Sequence, residues 1–316
     1  MGLSCQFAVT AWDLSSPAAL TGLPQQAKRA EAMGFEGFWL PEHHFQGGAS
    51  LSAPLILLAA CAGATETIDL ATTSLLLPIR QAIALAEETA TLDLIANGRL
   101  ILGLGRGFDD QLFEVFSIDP KEKRKRFKHT LEAMMHAWQG GQLLEGTDAT
   151  LSPRPVQQPH PRLWIAAFGP LALKQAAAFQ CPYLASPMET LSQLRANRQI
   201  YTEALGELGF EPPATTPIMR TVFITDDDKK AKAITERASP AASDGPPSNS
   251  PVWVGPQSLI IDRINEYQET LGMNYLIARG RIPGVSVEEQ LDSHEALLTL
   301  SAVSYTHLTL PTRAQV

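Results

Sequence analysis

Eight short β-like runs, each separated from the next by a helical stretch, predict that this 316-residue chain folds as a single α/β unit, a closed TIM-type (β/α)8 barrel. Two further observations agree. The apolar content of 45% supports a sizeable core. Glycines and prolines fall where successive elements must stop.

Residues 2–10 read as the first strand. Residues 24–33 form a helix that ends at Gly34, free to take a left-handed cap. The second strand, 35–40, is closed by Pro41. A helix at 53–64 leads to the third strand, 68–77, stopped by Pro78. A long helix over 81–96 is followed by Gly98 and then the fourth strand, 99–104. Helical sequence fills 109–138. Strand five is 162–167, and Pro170 opens the next helix at a position where its missing N–H costs nothing. Strand six is 183–185, with a helix over 188–208. Strand seven is 218–225, followed by helix 226–237; a helix at 256–271 precedes strand eight, 274–278. One domain therefore spans 1–303. Residues 304–316 (SYTHLTLPTRAQV) resemble translated sequencing-adapter sequence and are read as a non-native tail. Residues 238–251, rich in Pro, Ser and Gly, lie on the rim that carries barrel active sites and are expected to form a mobile lid.

The net charge of −8 argues against a nucleic-acid or anionic-membrane surface. Cys5, Cys61 and Cys181 form no CxxC pair, which fits a reduced cytoplasm and no metal site. The N-terminus lacks a basic start followed by a long apolar run, and Gln6 breaks the myristoylation pattern begun by Gly2. The longest apolar run, 53–64, is too short to span a bilayer. It is nevertheless apolar on every face, where an outer barrel helix should show a polar stripe, so it is expected to form a homodimer contact.

Three segments carry chemistry. GFEGFWLPEHHF (34–45) delivers Glu42, His43 and His44 to a strand end, where neighbouring side chains should point apart. One histidine then faces the barrel mouth and the other bonds behind it. NGRLILGLGRGF (97–108) does not complete a dinucleotide-binding glycine pattern. It reads as a loosened strand end whose Arg106 can clasp an anion, the alternative, favoured for an isolated arginine, being a surface ion pair. KEKRKRFKH (121–129) is a solvated helix face, with Arg124 as an exception turned toward the same anion. AAFGPLA (166–172) starts a helix at Gly169 and Pro170, leaving the N–H groups of Leu171 and Ala172 as anion donors.

Taken together, GFEGFWLPEHHF, IDLATTSLLLPIR and ETATLDLIANGRLILGLGRGFDDQLFEVFSID resemble the bacterial luciferase-like monooxygenase family over about residues 3–300. The resemblance implies a TIM barrel binding FMN or, in some branches, F420. In the FMN branch, reduced flavin and O₂ oxidise a small organic substrate, with a separate reductase supplying the flavin. It implies that His43 is the active-site histidine and that Arg106 and Arg124 hold the flavin phosphate with the Gly169–Leu171–Ala172 turn. Thr73–Ser74 would be a non-proline cis peptide beneath the flavin ring. Two departures stand out: Gly105 replaces the reactive cysteine of luciferases, and Gly169, Pro170 and Ala172 replace hydroxyl residues of the phosphate turn. A hydride-transferring F420 enzyme and a non-catalytic flavin-binding subunit are the alternatives.

Overall fold

A computed structural model describes residues 5–47, 50–238 and 249–306, with side chains to 300. Its parallel strands run β7-β6-β5-β3-β2-β1-β10-β8-β9, with β4 beside β5. They are β1 (Gln6–Thr10), β2 (Gly37–Leu40), β3 (Asp69–Thr72), β4 (Leu75–Leu76), β5 (Leu100–Gly105), β6 (Arg162–Ala166), β7 (Tyr183–Leu184), β8 (Pro217–Ile224), β9 (Val252–Gly255) and β10 (Tyr275–Ala278). Between and around them lie α1 (Pro17–Leu20), α2 (Leu23–Met33), α3 (Pro54–Ala62), α4 (Ala82–Ile95), α5 (Asp110–Val115), α6 (Lys123–Trp138), α7 (Pro170–Ala178), α8 (Leu191–Glu207), α9 (Asp228–Ala238), α10 (Gln257–Leu271) and α11 (Val287–Thr306). All eight expected strands are present, and the (β/α)8 reading holds.

Strand alternation builds two cores. Phe7, Val9, Phe38, Leu40, Leu70 and Leu102 face outward and join the buried cluster shared with the helices. Their neighbours Ala8, Trp39, Ala71, Ile101, Trp164, Met219 and Tyr275 face inward and form a separate cluster. Its centre is aromatic. Trp39 and Trp164 stack at 4.9 Å, Trp164 meets Tyr275 edge-on at 5.0 Å, and Trp39 Nε1 donates to the Tyr275 hydroxyl at 3.3 Å. Gly37 is required here, because a Cβ on it would overlap that hydroxyl.

β7 and β8 pack against each other but share no strand ladder among the described residues. Arg220, fully buried, bridges this seam. Its guanidinium donates to the carbonyls of Met219 (2.8 Å) and Glu189 (2.9 Å), and its Nε lies 3.3 Å from the Tyr267 hydroxyl. A buried edge must satisfy its carbonyls somehow, and a forked cation does so where no ladder forms between neighbouring strands.

Four sequence expectations need correction. The third strand is two, β3 and β4, divided at a cis Thr73–Ser74 peptide. Residues 109–138 are not continuously helical: α5 stops at Phe116, Ser117 takes φ 57°, and a 3₁₀ turn at Pro120–Glu122 precedes α6. α1, whose Ser16 side chain accepts from Ala19 N, was not anticipated. Nor was β9, which takes the upper edge of β8 from Thr221 to Ile224. Of the expected lid at 238–251, residues 239–248 lie outside the described residues, as does 307–316 of the expected tail.

His294 on α11 is fully buried, with its ring edge-on to Phe35 at 5.8 Å and Nε2 3.0 Å from Gln290 Nε2. Burial holds its imidazole down to about 4. An unfolded chain, with histidine near 6.5, therefore takes up a proton that the fold refuses, and stability falls as pH drops from about 6.5 toward 4. In urea titrations, wild type should lose up to about 3 kcal/mol more than His294→Gln across that window. A stability difference between the two that does not change with pH would rule this out.

Candidate active site

The barrel mouth opens into a cavity of about 710 Å³, reached from the inner cluster by Leu184 and Met219 and within the range of small-molecule and cofactor sites. Most of its lining comes from the C-terminal ends of strands and the loops that follow them, with Met219 of β8 and Leu112 of α5 as exceptions. Thr10 ends β1 and accepts from Gly280 N at 2.8 Å, joining the β1 and β10 loops. His43 and His44 follow β2, Thr73 and Ser74 follow β3, and Arg106 follows β5; all five line the cavity.

The loop after β2 is held by a buried carboxylate. Glu42 accepts from Leu76 N (2.7 Å) and Arg80 Nη2 (2.5 Å), and His44 Nε2 lies 2.8 Å from its Oε1. This enclosed network orients His44, whose ring also packs edge-on against Phe116 at 5.5 Å. His43 is different. Its backbone N–H donates to Leu51 O at 2.9 Å, while its imidazole makes no hydrogen bond among the described residues and keeps an exposed edge in the cavity. Burial lowers the pKa of His43; Glu42 opposes this, and His44 and Arg279 reinforce it. The ring is thus neutral near pH 7, able to accept a proton. The expected division of labour between the two histidines is present, although both border the cavity because the chain after Pro41 is no longer extended strand.

β4 runs beside the upper end of β5, bringing Ser74 against Gly105. A Cβ at Gly105 would run into Ser74 Oγ, so this position admits no cysteine in the present arrangement. Gly103 is equally constrained, since a Cβ there would strike the Thr72 carbonyl.

Arg106 is half-buried and has no ion-pair or hydrogen-bond partner among the described residues. Burial, and then the neighbouring charge of Arg124, push it below the ordinary arginine value. Arg124 itself is exposed on α6 and is not part of the cavity wall, so it stands at the rim and is not turned inward as expected. α6 is fixed nearby through Lys123, 3.4 Å from Asp110 of α5, and Arg126, whose Nε donates to Pro78 O at 2.7 Å. Two neighbouring cations, neither in an ion pair among the described residues, make a place for an anion.

The Gly169 turn departs from expectation. Gly169 takes φ 81°, and α7 begins at Pro170, but Ala172 N already donates to Gly169 O at 3.1 Å. Its N–H is consumed by the tight first turn, leaving Leu171 N as the remaining open donor, with the Leu171 side chain exposed. None of the three lines the cavity. Sequence reasoning also missed Arg279 after β10, the Glu42–Arg80 clamp, and the exposed Phe108 and Phe168 at the mouth. Arg279–Gly280 repeats the strand-end Arg–Gly pattern of Arg106–Gly107, which was the available signal.

Residues 1–250 match the family model for luciferase-like monooxygenases. One relative, protein y4vJ of Sinorhizobium fredii, is 29% identical over 71% of this chain and 66% of its own. The oxygenase component of a flavin-dependent trigonelline monooxygenase from Acinetobacter baylyi is 27% identical over 64% of this chain and 59% of its own. The chain thus spans under two thirds of the length of these curated relatives. Among solved structures, monooxygenase RslO1 of Streptomyces bottropensis superposes with TM-score 0.79 at 24% identity, covering 95% of this chain and 99% of that one. The oxygenating constituent of Pseudomonas putida 3,6-diketocamphane monooxygenase, in complex with FMN, gives 0.75 at 19% (95% and 97%). An F420-dependent secondary alcohol dehydrogenase gives 0.75 at 18% (94% and 99%). These structural likenesses are likenesses of fold; by its sequence match over residues 1–250, the chain belongs to the luciferase-like monooxygenase family.

Proposed function

We propose that the chain is the oxygenase of a two-component, FMN-dependent monooxygenase, which uses reduced FMN from a separate reductase and O₂ to oxidise a small organic substrate in the cytoplasm. The observation that carries this reading is an uncompensated guanidinium, Arg106, in the same cavity as the neutral, unbonded imidazole of His43. Reduced FMN, when bound, supplies the electrons that activate O₂. The protein's own work is positional. Arg106 and Arg124 hold the phosphate, with Leu171 N as a further donor, and Thr73–Ser74 forms the shelf for the ring. Apolar Leu112 and Phe168 help keep water from the reacting centre, and His43 takes up or returns a proton.

F420 is the second reading, since F420-dependent neighbours share the fold. Side-by-side titration with FMN and F420 decides between them. Arg106→Gln should weaken FMN binding about 10–100-fold, with a smaller loss for exposed Arg124→Gln, while leaving riboflavin binding unchanged. Wild type that binds FMN no better than riboflavin would contradict the phosphate assignment.

For His43, the sign follows from its lowered pKa. Turnover should hold through neutral pH and fall on an acid limb below the usual histidine value of about 6.5. His43→Gln should lower turnover about 10²–10⁴-fold and abolish that limb. Unchanged turnover in the variant would instead favour a non-catalytic role for His43.

A homodimer across α3 completes the proposal. Ile56 is 73% exposed beside exposed Ala60 and half-buried Leu57 and Ala59, so the outer face of α3 is apolar. Light scattering should give a dimer mass for wild type at micromolar concentration and a monomer for Ile56→Glu. A monomeric wild type would refute the interface.

A further inference from the structure

Arg279 and the exposed Arg281 join Arg106 on the lining of the active-site cavity, and nothing on the flavin side accounts for Arg279. The barrel ring runs β1, β2, β3, β5, β6, β7, β8, β10. β5 and β10 are therefore four strands apart in either direction, and Arg106 and Arg279 project from opposite sides of the mouth. One phosphate cannot be gripped by both.

The Arg279 backbone is firmly placed. Its N–H donates to Arg220 O at 2.9 Å, and the next N–H, that of Gly280, donates to Thr10 Oγ1. A Cβ at Gly280 would overlap the carbonyls of Thr10 and Ala11, so the loop lies tight against β1. The side chain is half-buried and lines the cavity, with one hydrogen bond, a 3.4 Å contact from Nη1 to Thr221 Oγ1. No carboxylate lies within ion-pair distance of it among the described residues. The neighbouring Arg281 is exposed, and its charge acts on Asp13. Arg279 has no such counter-charge, and burial lowers its pKa. Its charge also acts on His43, which places it within electrostatic reach of the proposed proton acceptor. Around it, the loops and strands flanking β10 contribute the apolar Ala11, Leu14, Met219 and Pro283, with Thr10 and the exposed Arg281 also on the lining.

A half-buried cation with most of its donors open, set among these apolar side chains beside the reacting centre, is built to select an anion. We propose that Arg279 is the specificity residue for the organic substrate and that this substrate carries a carboxylate. The carboxylate pairs with Arg279, and the apolar body of the acid packs against Leu14 and Met219. The inference rests on the monooxygenase reading for calling the bound acid a substrate; the binding itself can be measured without flavin.

The test is calorimetric titration of the flavin-free protein with benzoate and octanoate, each against its neutral amide, in wild type, Arg279→Gln and Arg279→Lys, with FMN titrated in parallel. Wild type should bind at least one acid tenfold or more tightly than its amide. Arg279→Gln should erase that preference, Arg279→Lys should keep part of it, and FMN affinity should stay within threefold in both variants. Equal binding of both acids and their amides by wild type overturns the proposal, as does a preference that survives in Arg279→Gln. A loss of FMN binding in Arg279→Gln without any acid preference assigns Arg279 to the cofactor and also overturns it. A carboxylate preference that depends on Arg279 in a protein that does not bind FMN would keep this site and reject the flavin reading. Circular dichroism melts of both variants separate lost binding from lost folding.

Discussion

A guanidinium partly withdrawn from water, with no carboxylate to meet it, is the constraint around which this barrel mouth is organised. Other half-buried arginines find a carboxylate within the fold, as Arg263 does with Glu266 and Arg80 with Glu42. Arg106 instead has a second arginine for a neighbour. Such an arrangement raises the energy of the empty protein and is relieved by an anion, so binding and specificity draw on the same electrostatic imbalance. Arg279 repeats the condition across the mouth. Both line one cavity whose walls are largely apolar, with Arg281, Glu42 and Asp109 also on its lining.

Holding these cations apart requires a barrel interior that does not collapse. Trp39, Trp164 and Tyr275 supply it, packed edge and face in the barrel interior and tied by one hydrogen bond. Above them, the chain approaches itself so closely at Gly103, Gly105 and Gly280 that side chains are excluded. Those glycines let β3, β5 and the β10 loop close around the site. Gly105 in place of cysteine follows from the same crowding, because the Ser74 hydroxyl occupies the space. The Glu42 cluster does comparable work for the histidines, using three donors to fix one loop so that His43 is left with none.

Much of the fold was legible because barrel strands are buried on both faces and read as compact apolar runs between turn residues. Gly34, Pro78 and Gly98 each stand at an element boundary. Failures came where local pattern and tertiary setting part company. β9 is four residues long and owes its strand conformation to the open edge of β8. The 109–138 stretch has helix-forming composition throughout, yet Ser117 turns left-handed to bring α6 and its cations back beside β5. The break between β3 and β4 has no compositional mark at all.

The same division applies to the site. Position at a strand end brought the His43–His44 pair and Arg106 into consideration, since parallel strands with helical returns force all such ends to one face, and the family resemblance then singled out His43 and Arg106. Sequence by itself determined the barrel, the rim and the family's pattern of residues. Which groups remain unpaired was decided only in three dimensions, because pairing depends on what arrives from distant elements. Glu42 meets Arg80, Ala172's N–H is spent on Gly169, and Arg124 stops at the rim. Arg279, directly across the ring from Arg106, meets no counter-charge. Its opposition to Arg106 exists only once eight strands have closed into a circle.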